Sequence, residues 1–146
     1  MRAFARLLPM TRFIVALVIG LVAGPALPQH KHSHPLKSQH GGEVVEGRRH
    51  HFELVLAPAA EAGVTEVALY VTDHRNRPSK FDSASAEASI RSKGASTTVS
   101  LAAAGPSVLK GVGRFAADPA MEVQVTVTLG KLPAEKLVFR PLAPSR

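Results

Sequence analysis

From Glu122 to Leu129 apolar and polar residues alternate without a break, with Val123, Val125, Val127 and Leu129 set against Glu122, Gln124, Thr126 and Thr128. Side chains on a strand point to opposite faces in turn, so this spacing describes a strand with one face in a core and one in water. The same period returns at residues 49–56, where Phe52, Leu54 and Leu56 oppose His51 and Glu53. It returns again at residues 66–72 (Val67, Leu69 and Val71 inward) and at residues 135–140 (Leu137 and Phe139 in phase). Residues 87–91 and 97–101 form a pair across Ser92-Lys93-Gly94-Ala95, and residues 43–46 make a short strand. Residues 108–115 are a further strand, in which Gly111 and Gly113 predict a bulge or close packing. No segment sustains a 3.6-residue period, and the alanine-rich residues 57–62 make one helical turn at most. Turn residues recur roughly every 8–12 positions, the profile of a sandwich. The expectation is an all-β chain: a single small β-sandwich of about seven or eight antiparallel strands over residues 40–142. Strand order is not legible.

The residues before that domain follow different rules. Arg2, Arg6 and Arg12 make a basic leader, and no acidic residue precedes Glu43. An apolar run of 11 residues, Phe13 to Ala23, follows; spanning a bilayer takes about 20. Gly24-Pro25-Ala26 then sets small residues where a signal peptidase reads, so residues 1–26 are expected to be a signal peptide cleaved after Ala26. That implies export to the periplasm, with no membrane span after cleavage. Residues 27–39 are polar, twice broken by proline and without period, and read as a flexible histidine-rich tail.

Composition removes several classes of function. The formal charge of +7 falls to about +4 once the three leader arginines are gone, and the remaining lysines and arginines are scattered. A nucleic-acid partner would need a basic stripe or aromatic platforms, and neither is present. The absence of cysteine removes disulfides, thiolate catalysis and tetrathiolate zinc sites. There is no Gly-x-Ser-x-Gly elbow, His-Glu-x-x-His motif or glycine-rich phosphate loop, so the chain does not read as an enzyme.

Seven histidines, all between positions 30 and 74, are the chemical signal that remains. His30, His32 and His34 alternate, so in an extended chain their imidazoles converge on one side. His40 stands at the end of the hairpin expected across Gly47-Arg48, where His51 and Glu53 share the face opposite Phe52. Two imidazoles and a carboxylate form a ligand set for a divalent ion, and they equally suit polar decoration of a solvated sheet face. His50 points with the apolar set. Asp73 and His74 follow a strand; Asp73 suits a turn, and His74 becomes a further ligand only if the fold brings that loop to the others.

His40-Gly41-Gly42-Glu43-Val44-Val45, His51-Phe52-Glu53-Leu54-Val55 and Leu69-Tyr70-Val71-Thr72-Asp73 together resemble a group of small bacterial periplasmic "His-Gly-Gly" β-sandwich proteins. A similar order appears in the N-terminal region of some periplasmic adaptor subunits of heavy-metal efflux pumps. The resemblance covers residues 40–139 and implies a β-sandwich associated with transition-metal handling in the envelope. Its matching polar positions are His40, His51, Glu53 and Asp73. The chain lacks the helical hairpin and lipoyl-like halves of those adaptors, so the likeness does not make it one. The resulting expectation is a periplasmic transition-metal-binding accessory protein that buffers or delivers its ion, with an efflux component as a protein partner. His40 and His51 would be the core ligands, Glu53 a carboxylate partner, and the tail histidines a collecting arm. Met121 is the one methionine left after cleavage, which disfavours copper(I) and leaves zinc, copper(II), nickel or cobalt. The rival expectation is an envelope interaction or structural module with no metal role.

Overall fold

The computed structural model describes residues 36–143; the expected signal peptide and His30, His32 and His34 lie outside them. Eight strands run in sequence: β1 (Glu43–Glu46), β2 (His51–Pro58), β3 (Thr65–Thr72), β4 (Ala84–Ser92), β5 (Ala95–Gly105), β6 (Val108–Gly113), β7 (Glu122–Leu129) and β8 (Glu135–Phe139). The all-β expectation holds, with each expected strand present. Residues 57–62 make no helical turn, because β2 continues to Pro58 and is followed by a bend and turn. Among the described residues there is no helix, and so none long and apolar enough to cross a membrane.

Every pairing is antiparallel, and all eight strands belong to one sheet in the order β1-β2-β3-β6-β5-β4-β7-β8. After β3 the chain skips two places to lay down β4, then returns through β5 to set β6 beside β3. The sheet curls until its two ends nearly meet. Side chains join those ends: the Glu43 carboxylate accepts the backbone N–H of Arg140, and Glu135 accepts that of Arg48. Strands twist by nature, and a register shift between Ala103 and Gly105 of β5 adds to the bending.

The alternation read from the sequence explains the interior. Phe52, Leu54, Val67, Leu69, Val71, Ile90, Leu109, Val123, Val125, Val127 and Phe139 all point inward and are essentially sealed from water. Each contributes on the order of 1.5–3 kcal/mol relative to exposure. Gly111 serves close packing rather than a bulge. A Cβ there would collide with the carbonyl oxygen of Ser100 on β5 and lie 2.9 Å from Leu101 Cδ2. The β4–β5 hairpin turns on Lys93 and Gly94 with φ of 48° and 78°, the pair of positive values that matches the twist of the flanking strands.

Candidate metal centre

The face of β1, β2 and β3 turned away from the core was expected to be wet, and at its centre it is not. His51 is only 7% exposed and Glu53 only 6%. Two pieces of chain cover them. Residues 38–42 fold over Glu53, and the turn at residues 73–77 stands over His51. Glu53 pairs with Val44 and Tyr70 across the ladders, and His51 with Glu46 and Thr72. This patch is therefore a second, polar packing layer on the outside of the sheet.

Glu53 is the anchor of the first cover. Its Oε1 accepts from Ser38 Oγ at 2.7 Å, His40 N at 2.7 Å and Gly42 N at 2.9 Å. Its Oε2 accepts from Gln39 N at 3.0 Å and His40 Nδ1 at 2.9 Å. Burial alone would push its pKa up, but the bonds from Ser38, Gly42, His40 and Gln39 outweigh it and hold the carboxyl at about 2. The His40 ring is locked as well, stacked on Tyr70 with centroids 3.7 Å apart and planes 5° from parallel. Gly42 permits the approach, because a Cβ there would strike the backbone carbonyl of Leu54. Ser38 and Gln39, read from the sequence as tail, are thus bonded into the domain.

This arrangement changes the expected roles. A carboxylate offers about four lone-pair positions, and five donors from its own chain already converge on Glu53. It has nothing left for an ion. His40 spends its Nδ1 on Glu53 and stands apart from the other imidazoles. The pair proposed from the sequence as ligand and carboxylate partner is a latch holding the start of the domain to the sheet.

Asp73 likewise builds structure. Its Oδ1 accepts from the backbone N–H groups of Arg75 and Arg77, and its Oδ2 from the Arg77 guanidinium at 2.8 Å. Those bonds to Arg77 and Arg75 hold its carboxyl at about 2. Its backbone N–H donates to the Arg77 carbonyl and its own carbonyl accepts from Asn76 N, which closes the turn. Asn76 adopts φ of 59°, a left-handed value that asparagine tolerates better than most side chains. The turn presents His74 and Asn76 to β2, and Gln39 Nε2 braces it by donating to the Asn76 carbonyl at 2.9 Å.

At His51 the two covers and the hairpin converge. Glu46, His51 and His74 each offer one ligand atom, and the three atoms lie within 4.8 Å of one another. His74 Nδ1 is 3.1 Å from His51 Nε2 and 4.0 Å from Glu46 Oε1. On the far side of the ring, His51 Nδ1 sits 3.2 Å from Asn76 Oδ1. An amide oxygen can only accept, so Nδ1 of His51 carries the proton and Nε2 presents a bare lone pair. Such an outer hydrogen bond orients imidazole ligands in metal sites and makes them more basic. Two nitrogens on a tetrahedral zinc ion with bonds of 2.0–2.1 Å stand about 3.3 Å apart, close to the observed pair. With its proton on Nδ1, His74 donates to that lone pair; with its proton on Nε2, it turns a second lone pair toward the same point. His51 is buried, while the side chains of His74 and Glu46 are 49% and 64% exposed, so the group is anchored from below and open above.

Of the residues singled out from the sequence, His51 and His74 come together, and His40, Glu53 and Asp73 support them from outside the group. Glu46 escaped the sequence reading. The hairpin expected across Gly47-Arg48 sets Glu46 beside Arg49; the turn instead takes residues 47–50, and that shift of register is what puts Glu46 opposite His51. The supporting role of Asn76 had no sequence signal beyond its place in a turn. Comparison with known protein families, with curated proteins and with solved structures finds no match for the chain.

Proposed function

We propose that this protein is an exported metal-binding accessory protein that buffers or delivers a divalent transition ion in the cell envelope, in association with metal efflux, and not an enzyme. The observation that carries the reading is the oriented lone pair of His51, held by Asn76 on one side and facing His74 and Glu46 on the other. Two imidazoles and one carboxylate suit zinc, copper(II), nickel or cobalt better than calcium or magnesium, which prefer all-oxygen sites. With three protein ligands and a solvent-facing side, the ion keeps open positions, which favours exchange over permanent structural binding. The basic leader with its small-residue exit supports export.

The deciding experiment is calorimetric titration of the tag-free chain with zinc, copper(II) and nickel. A variant with His30, His32 and His34 replaced by alanine isolates the domain from the tail. One-to-one binding in the micromolar range or tighter is expected to persist in that variant and to weaken at least tenfold on adding His74→Ala. His74 is exposed, so its loss spares the fold. Binding that disappears with the three tail histidines, or that ignores His74→Ala, would overturn the assignment and favour an envelope interaction module.

A further inference from the structure

A second site lies where the two ends of the sheet meet. The β1–β2 turn at residues 47–50 and the β7–β8 loop face each other across a cleft of about 210 Å³. Its floor is apolar: Val127 and Leu129 come from the inner face of β7, and Leu132 and Pro133 from the loop. Its rim is polar and made of Arg48, Arg49, His50 and Glu135. None of Glu46, His51 or His74 lines it.

The rim is ordered by contacts that leave its cationic groups available. Glu135 Oε1 accepts the backbone N–H of Arg48 at 2.6 Å, which ties the turn to β8 and commits one carboxylate oxygen. Neither the Arg48 nor the Arg49 guanidinium pairs with a carboxylate among the described residues. The His50 ring is wedged edge-on against Phe81, with centroids 5.4 Å apart, and against Phe52 at 6.2 Å. Two arginines and one glutamate leave the rim with one net positive charge.

From this geometry we infer that the cleft binds a small organic monocarboxylate with a compact apolar body, aryl or branched aliphatic. The carboxylate meets the arginine forks, whose planar donors match its two oxygens. The apolar body displaces water from Val127, Leu129, Leu132 and Pro133. The net charge of the rim matches a monoanion. The volume equals the share of roughly seven water molecules and falls below the range of drug-sized pockets, which suits a body no larger than one ring. The cleft and the metal group use different residues, so the fate of one assignment does not decide the other.

The test is an NMR titration of the full chain, using amide shifts as the readout and benzoate, benzamide and acetate as probes. Benzoate is expected to shift the signals of residues 48–50 and 132–135, with a dissociation constant on the order of a millimolar or tighter. Benzamide lacks the charge and acetate lacks the ring; each should bind at least tenfold more weakly. The Arg48→Gln/Arg49→Gln double variant changes two exposed side chains and should weaken benzoate at least tenfold while leaving the other amide signals in place. Equal binding of benzamide, shifts that fall elsewhere, or benzoate binding untouched in the double variant would each overturn the proposal.

Discussion

Glu53 and Asn76 show how single residues decide what this outer face can do. Glu53 has a folded pKa of about 2 against an ordinary 4.5, so it binds protons more weakly folded than unfolded. Its contribution, about 3 kcal/mol for a buried group, is fully present above pH 4.5 and is lost as pH falls through 4.5 towards 2. Glu53→Gln should therefore destabilise the domain by about 2–4 kcal/mol at pH 7. It should also flatten the pH dependence of stability between pH 4.5 and 2 relative to the parent, as read in urea melts across that window. Asn76 acts on the metal group through His51. Asn76→Gly keeps the left-handed backbone at φ of 59° and removes only the amide that holds the ring. Metal affinity in calorimetry is expected to fall about 10–100-fold with little change in melting temperature; an unchanged affinity would show that the Asn76 bond does not orient the ligand.

Among the elements, the β1–β2 hairpin and the turn at residues 73–77 matter most. Ladder pairing sets Glu46 opposite His51, and the turn, closed by Asp73, lowers His74 onto the same spot. Asp73→Ala removes the acceptor that organises the turn. It is expected to weaken metal binding at least tenfold with only a small loss of stability, so that the two effects separate when calorimetry is set beside urea melts. Gly111 tests the sheet itself. Gly111→Ala forces a methyl group against the Ser100 carbonyl and Leu101, and a loss of about 1–3 kcal/mol is expected in the same melts, with metal affinity retained because β5 and β6 carry no ligand.

At the scale of the whole molecule, the single curled sheet couples the metal group to global stability. Its ligands come from β1, β2 and the loop after β3, so they assemble only when those strands are paired. An ion that binds the folded form alone stabilises it by about 2.7 kcal/mol at one hundred times its dissociation constant. For a domain of this size, melting should rise by about 10 °C or more with zinc, and a chelator should reverse it. Because imidazoles bind metal only when neutral, the shift should shrink at pH 5 relative to pH 7.5. A shift equal at both pH values would contradict histidine ligation.

The sequence by itself determined the strands and their inward faces, because a period of two residues is a local property. Val123 to Leu129 and Phe52 to Leu56 carry it regardless of what lies beyond them. The β4–β5 hairpin was also legible, since a short turn leaves little choice of partner; the β1–β2 pairing was legible but not its register, because the turn takes residues 47–50 rather than Gly47-Arg48 alone. Two things were decided only by the tertiary structure. One was the strand order, with β3 beside β6 and β1 brought round to β8, which depends on long-range pairings that no local pattern records. The other was the fate of the polar outer face. Alternation assigns His51 and Glu53 to the side away from the core, but it does not say whether water or another part of the chain covers that side. Residues 38–42 closed over Glu53 and the turn carrying His74 and Asn76 closed over His51. A face that looked solvated thereby became a buried latch beside a group of ligands.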